Sequence, residues 1–299
     1  MSATMSLTGV RMKLALRNRA FIFFSIVMPF GFLFFFFLVF GRGGPAAVSY
    51  LLAAVLALSV MGSFWGLSVQ LISFREQGIL RRFRLTPIGA GPLLASSILS
   101  NYMLTIPTVV IEYLAARWLF GMQHWGNLAS AIVLVTVGSA AFSALGLIVA
   151  SVTNSLQETQ VINNVLWSIF FFLSGATIPL PVFPVWIQHA AFYLPATYLV
   201  SGLEQALVLN TGLVGTAGDT LALVASVIVA FEVSRRLFRW EPEEKVPSRA
   251  KVWVLVAVIP FLFMGVLESH SKRQVGEMQR IFHTIAPHGL NFTGPGPTR

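Results

Sequence analysis

Apolar runs of about twenty residues, separated by short clusters of charge, set the pattern of this chain. The first runs from about Ala20 to Phe40 and the second from about Ala46 to Ile72, joined by the tight loop Gly41–Pro45. A third, about Leu93 to Phe120, contains Pro107 and Glu112. After the short loop Gly121–Asn127 come runs at about Leu128–Val152 and Val161–Ile178, joined by the polar connector Thr153–Gln160. A sixth run covers about Ala217–Phe238. The pattern predicts an all-α polytopic membrane protein with six transmembrane helices.

Two stretches break the pattern. Ser73–Pro92 reads SFREQGILRRFRLTPIGAGP and places Arg75, Glu76, Arg81, Arg82 and Arg84 within ten residues, ending at Thr86-Pro87. Proline cannot continue a helix and pushes the preceding residue toward extended geometry. At helical spacing Ile79, Leu80 and Phe83 share one side, while Arg75 and Arg82 face away. Glu76 lies on the apolar side and needs a donor there. The spacing predicts a short amphipathic helix at the membrane surface with a basic face open to a soluble partner. Arginines that only fix topology and touch lipid headgroups would give the same charge pattern. The second stretch, Pro179–Leu207, is apolar and aromatic but interrupted by Pro179, Pro181, Pro184 and Pro195. Two short helices that dip into one leaflet and return fit it better than one span.

Composition and charge sharpen the picture. Of 299 residues, 56% are hydrophobic and 10% charged, against about 25% charged in a soluble domain. The net charge is +9, yet the positive residues gather at the ends of the apolar runs, which argues for membrane topology and against nucleic acid. Over residues 1–251, with a cytoplasmic N-terminus, fourteen Lys and Arg fall inside and two, Arg42 and Arg117, outside, while a seventh span would put Lys272, Arg273 and Arg280 outside, against the same rule. The expected location is the inner (plasma) membrane. With no cysteine, disulfides, thiolate metal sites and cysteine catalysis are excluded. Arg11–Asn18 has the period of a helix lying flat on the inner surface, with a disordered basic arm as the other reading. Residues 241–299 form a C-terminal extension with a candidate seventh apolar helix at 252–267, which carries Pro260 and is short for a span. The terminal residues 288–299 are expected to be disordered.

REQGILRRFRLTPI resembles the signature of type-2 ABC exporter permeases, a Glu-x-Gly-Thr/Ile-Leu-x-x-Leu-x-x-Thr-Pro run after the second span. A second stretch is similar to the family's other hallmark, with Ser174-Gly175, Phe183-Pro184 and Pro195-Ala196-Thr197-Tyr198 before the last span. The resemblance covers about residues 5–240. It implies a transmembrane domain at 1–240 whose partners are two copies of an ABC ATPase, a second permease subunit as homodimer or heterodimer, and membrane lipid. It implies a coupling helix from Arg75 to Thr86, with Arg75, Glu76, Gly78, Arg81, Arg82, Arg84, Thr86 and Pro87 engaging the ATPase. Pro184, Pro195 and Tyr198 would belong to an external re-entrant hairpin, and Arg11–Asn18 to an interface helix. The implied function is ATP-driven export of a hydrophobic or amphipathic substrate such as a drug, lipid or lipid-linked glycan. A non-transporting membrane scaffold or signalling subunit, partnered with a soluble ATPase, is the alternative.

The remaining chemistry is sparse. No GxxxxGK[ST] loop is present, so no ATP or other cofactor is expected on this chain, and ATP and Mg belong on the partner. The histidines, His124, His189, His270, His283 and His288, have no metal-ligand spacing, and no enzymatic constellation appears. Glu112 inside the third run suits a substrate contact or gate, or a hydrogen bond to a neighbouring helix. Asn163 and Asn164 suit a translocation path, or helix–helix hydrogen bonds. Glu232 stands three and four residues before Arg235 and Arg236 and should pair with them.

Overall fold

The computed structural model describes residues 27–40, 45–84, 89–241, 259, 262–266 and 273–285. The expected interface helix at Arg11–Asn18, the loop residue Arg42, Thr86, Pro87, residues 288–299 and most of 252–267 lie outside them. Along the chain come α1 (Met28–Phe40), α2 (Pro45–Met61), α3 (Ser63–Glu76), α4 (Ile79–Arg84), α5 (Ala90–Trp118) and α6 (Leu128–Val152). Then follow α7 (Leu156–Leu173), α8 (Val185–Ala191), α9 (Pro195–Leu207), α10 (Ala217–Leu237) and α11 (Arg273–Ile285). No strand forms among the described residues.

Among the described residues, four helical stretches are long and apolar enough to cross a membrane: Ala46–Glu76, Ala90–Trp118, Leu128–Val152 and Ala217–Leu237. The other two expected spans fall short on this measure. The described part of α1 has 13 residues, about 20 Å of helix. α7 has 18 residues but opens with LQETQVINN, which is too polar.

α6 is the centre of the bundle, packed against α3, α5, α9 and α10. Its sequence is rich in Gly, Ala and Ser, and small residues let backbones approach where no water drives association. Gly146 is the tightest case: a Cβ there would lie 2.3 Å from the Phe64 carbonyl oxygen. The Phe170 ring of α7 meets Phe64 and Phe142 edge-on at 5.6 and 5.5 Å, pinning α7 to α3 and α6.

The second span is locally irregular at Gly62, although the Gly62 N–H still donates to the Leu58 carbonyl at 3.0 Å and the Gly66 N–H to the Gly62 carbonyl at 3.4 Å. α2 ends at Met61 and α3 begins at Ser63, with Gly62 in a turn between them. The neighbours brace this turn. Asn101 Nδ2 of α5 donates to the Ser63 carbonyl at 3.0 Å and to Ser143 Oγ of α6 at 2.9 Å, and Ser63 Oγ donates to the Val60 carbonyl. These side-chain bonds tie the turn to the two neighbouring helices.

At one end of the bundle, α8 and α9 form a helix–turn–helix. α9 is buried along its whole length among α2, α6 and α10. α11 lies on this end, with Met278 packed among Leu180, Ala191 and Phe192 and Ile281 against Ala47. Residues 262–266 are helical, and Gly265 abuts the Tyr193 ring. α4 sits at the opposite end.

Candidate functional site

The α4 end carries the basic cluster. α3 runs on to Glu76, so the helix continues beyond the end of the apolar run at Ile72 and takes in Arg75 and Glu76. The chain then turns through Gln77 and Gly78, whose φ of +69° is the left-handed geometry that favours glycine. α4 is therefore six residues, Ile79–Arg84. Leu80 is fully buried among Leu67, Leu71, Leu93 and Leu94. Arg81 and Arg82 are exposed, and Arg81 reaches Glu241 only at 4.0 Å. The two-sided character read from the spacing is present.

Arg75 departs from that reading. It belongs to α3 and points inward, 4% exposed. Its Nη1 donates to the Ala150 carbonyl at 3.0 Å and its Nη2 to the Thr153 carbonyl at 2.5 Å. The turn at Gly78 resets the helical phase, so Arg75 and Arg82 do not share a face. Glu76 finds its donor within the chain: its Oε1 accepts from the Leu156 backbone N–H at 2.8 Å. Arg239, counted in the sequence only as a topology charge, is also 4% exposed. It donates to the Thr153 carbonyl at 2.6 Å, the Ser151 carbonyl at 3.2 Å and Asn154 Oδ1 at 3.1 Å. Glu232 pairs with Arg235 at 3.0 Å and Arg236 at 2.6 Å as its spacing predicts.

The hairpin residues hold their own turn. Pro184 precedes α8 and Pro195 is the first residue of α9, where no backbone donor is needed. Thr197 Oγ1 donates to the Ala191 carbonyl at 2.6 Å and Tyr198 Oη to the Phe192 carbonyl at 2.8 Å. These bonds satisfy the open carbonyls at the end of α8.

The three candidate path residues are not brought together. Glu112 is 1% exposed and accepts from Ser59 Oγ of α2 at 2.5 Å. Asn163 is buried and donates from Nδ2 to Ser68 Oγ of α3 at 2.8 Å. Ser59 and Ser68 are nine residues apart, about 13 Å along a helix. Both contacts are helix–helix hydrogen bonds. Asn164 is exposed, in a stripe with Gln157, Gln160, Val161, Val165 and Ser168 on the outer face of α7. From the Ser59–Glu112 bond, Ser59→Ala and Glu112→Gln should each lower stability in detergent by about 1 kcal/mol, and the double variant by little more. Thermal melts of the four proteins check this.

Residues 2–208 match the family model described as ABC-2 type transporter. The chain belongs to the ABC-2 type transporter family. It is an integral membrane subunit of an ABC transporter, as the two hallmark stretches implied. This ABC-2 permease is 25% identical over 234 residues to the putative transport permease YvfS of Bacillus subtilis, covering 76% of the chain and 94% of that relative. It is 26% identical over 176 residues to the linearmycin resistance permease protein LnrN of Bacillus subtilis, covering 58% of the chain and 46% of LnrN. It is 24% identical over 151 residues to the probable doxorubicin resistance ABC transporter permease protein DrrC of Mycobacterium tuberculosis, covering 50% of the chain and 54% of DrrC. The chain thus spans about half the length of LnrN and DrrC and nearly all of YvfS. α10 and α11 of this ABC-2 permease lie beyond the family match.

Proposed function

We propose that this chain is the membrane half of an ATP-driven exporter, acting as a pair of permease subunits with two ATPase subunits. The carrying observation is α4: a short helix anchored through Leu80, with Arg81 and Arg82 turned outward at the end of the bundle. Such a helix suits an acidic groove on a soluble partner at the cytoplasmic face, and the positive-inside count supports that orientation. ATP and Mg belong to the partner.

The translocation path is proposed to run along the outer face of α7, between two copies. Gln157, Gln160, Asn164 and Ser168 are exposed there beside Val161, Val165 and Phe172. Polar side chains at this depth are poorly matched to lipid tails, and a mixed polar and apolar wall suits an amphipathic substrate. The drug-resistance names of two relatives support the same class. The test is to purify the chain with its candidate ATPase in proteoliposomes and follow ATP-driven movement of doxorubicin. Hydrolysis without net transport, for doxorubicin and a lipid panel alike, would favour a scaffold.

The C-terminal extension is proposed to cross the membrane. Glu241 lies at the α4 end and α11 at the hairpin end, so residues 242–272 connect opposite ends. The chain contains no cysteine, so Thr284→Cys, at an exposed position, gives a single reporter. A membrane-impermeant maleimide added to intact cells should label it, whereas labelling only after lysis would place α11 inside.

A further inference from the structure

Two adjacent residues at the end of α3 grip both sides of the α6–α7 connector. Arg75 donates to the Ala150 and Thr153 carbonyls at the end of α6, and Glu76 accepts from the Leu156 N–H at the start of α7. The last carbonyls of a helix lack intrahelical partners and carry partial negative charge, while the first N–H groups carry the opposite sign. Each side chain therefore has the charge that its helix end attracts. Arg239, just past α10, adds a second guanidinium on the Ser151 and Thr153 carbonyls. The connector is closed from within as well. Ser155 Oγ accepts from Glu158 N–H at 3.2 Å, Glu158 Oε2 accepts from Asn154 N–H at 2.7 Å, and the Thr153 and Thr159 hydroxyls share a bond of 2.7 Å. The arginine bonds to the carbonyls are buried and charged, hence directional and costly to break singly, whereas the Glu76 bond lies at the exposed edge of the joint.

We infer that Arg75, Glu76 and Arg239 are positioning residues that lock the inner ends of α3, α6, α7 and α10 into one rigid block, so that displacement of α4 is delivered to α7 without slack. The delivery rests on the proposal that α4 receives the ATPase stroke; the rigidity does not. Only Gln77 and Gly78 separate the knot from α4, and their N–H groups are tied back to the Ser73 and Arg75 carbonyls at 3.0 Å each. α7 moves because it is bound to α3 through this joint and through Asn163–Ser68, and no flexible loop intervenes.

Spin labels test both parts in the full-length chain in lipid nanodiscs. The labels go on Gln77→Cys and Gln160→Cys, both exposed and outside the joint, with labelled copies diluted into unlabelled ones. Without any ATPase, the distance within one copy should be narrow, and Glu76→Gln should at least double its width. Arg75→Gln should do the same; if that variant fails to fold, Glu76→Gln still decides. With the ATPase and ATP, the intra-copy distance should hold while the Gln160–Gln160 distance between copies, read in a separate undiluted sample labelled at Gln160→Cys alone, changes, and Glu76→Gln should abolish that change while the ATPase stays bound. An intra-copy shift of more than about 5 Å, one helical turn, or a Glu76→Gln variant with unchanged width and an unchanged response to ATP, would overturn the inference. If wild type is narrow and Glu76→Gln broad but no ATPase binds, the exporter reading fails and the rigid joint stands.

Discussion

Replacing Arg81, Arg82 and Arg84 together by Glu should abolish association with the ATPase while leaving the permease folded and in the membrane. Arg81 and Arg82 are exposed, and the ion pair that Arg81 makes among the described residues, to Glu241, is long and solvent-screened, so its loss contributes almost nothing to stability. Leu80, which seats α4 on the bundle, is untouched. Against an acidic groove the substitution turns attraction into repulsion. A penalty of about 4 kcal/mol, roughly a thousandfold in affinity, is expected. Co-purification from membranes and the ATPase rate of the purified complex measure it. Unchanged assembly and turnover would remove α4 as the coupling surface.

The second large effect lies in the packing of α6. Gly146→Ala places a methyl 2.3 Å from the Phe64 carbonyl oxygen and 3.0 Å from the Phe64 Cα. Both are backbone atoms and cannot rotate away, so α3 and α6 must separate. The separation would also stretch the Arg75 bonds one to two turns along, at Ala150 and Thr153. Overpacking of this kind costs about 3 kcal/mol, or roughly 10 °C in Tm. Gly31→Ala is the control: a Cβ there meets nothing within 4 Å, so its Tm should stay at the wild-type value. Thermal melts of the two variants in the same detergent separate a specific contact from a general intolerance of alanine.

The bundle was legible because burying apolar helices in a membrane leaves a coarse signal: run length, interrupted by charge. The faces of α4 were legible for a related reason, since Leu80 inside and Arg82 outside follow from a helical period. Arg75 and Arg239 were not. A charge count treats every arginine near a span end alike, and no spacing in the chain says that the carbonyls of residues 150, 151 and 153 will need donors. The irregularity at Gly62 was equally silent, because its partner Asn101 is 39 positions away and lies in a different helix. Glu112 and Asn163 were recognised as unusual, but whether such a group meets a substrate or a neighbouring serine depends on which helices touch. α11 left a readable trace, an apolar period at Val275, Met278, Ile281 and Ile285, which is easily overlooked beside the more apolar stretch at 252–267.

The interruption at Gly62 gives the molecule two storeys with separate allegiances. Above it, α2 is fastened to α9 and α11; below it, α3 is fastened to the arginine knot. Motion in the lower storey need not be copied in full by the upper one, since a Gly-Ser pair such as Gly62-Ser63 is a place where a helix bends at little expense. On the proposed exporter reading, entry and exit then open at different moments, which is the condition for moving a cargo without leaving a hole.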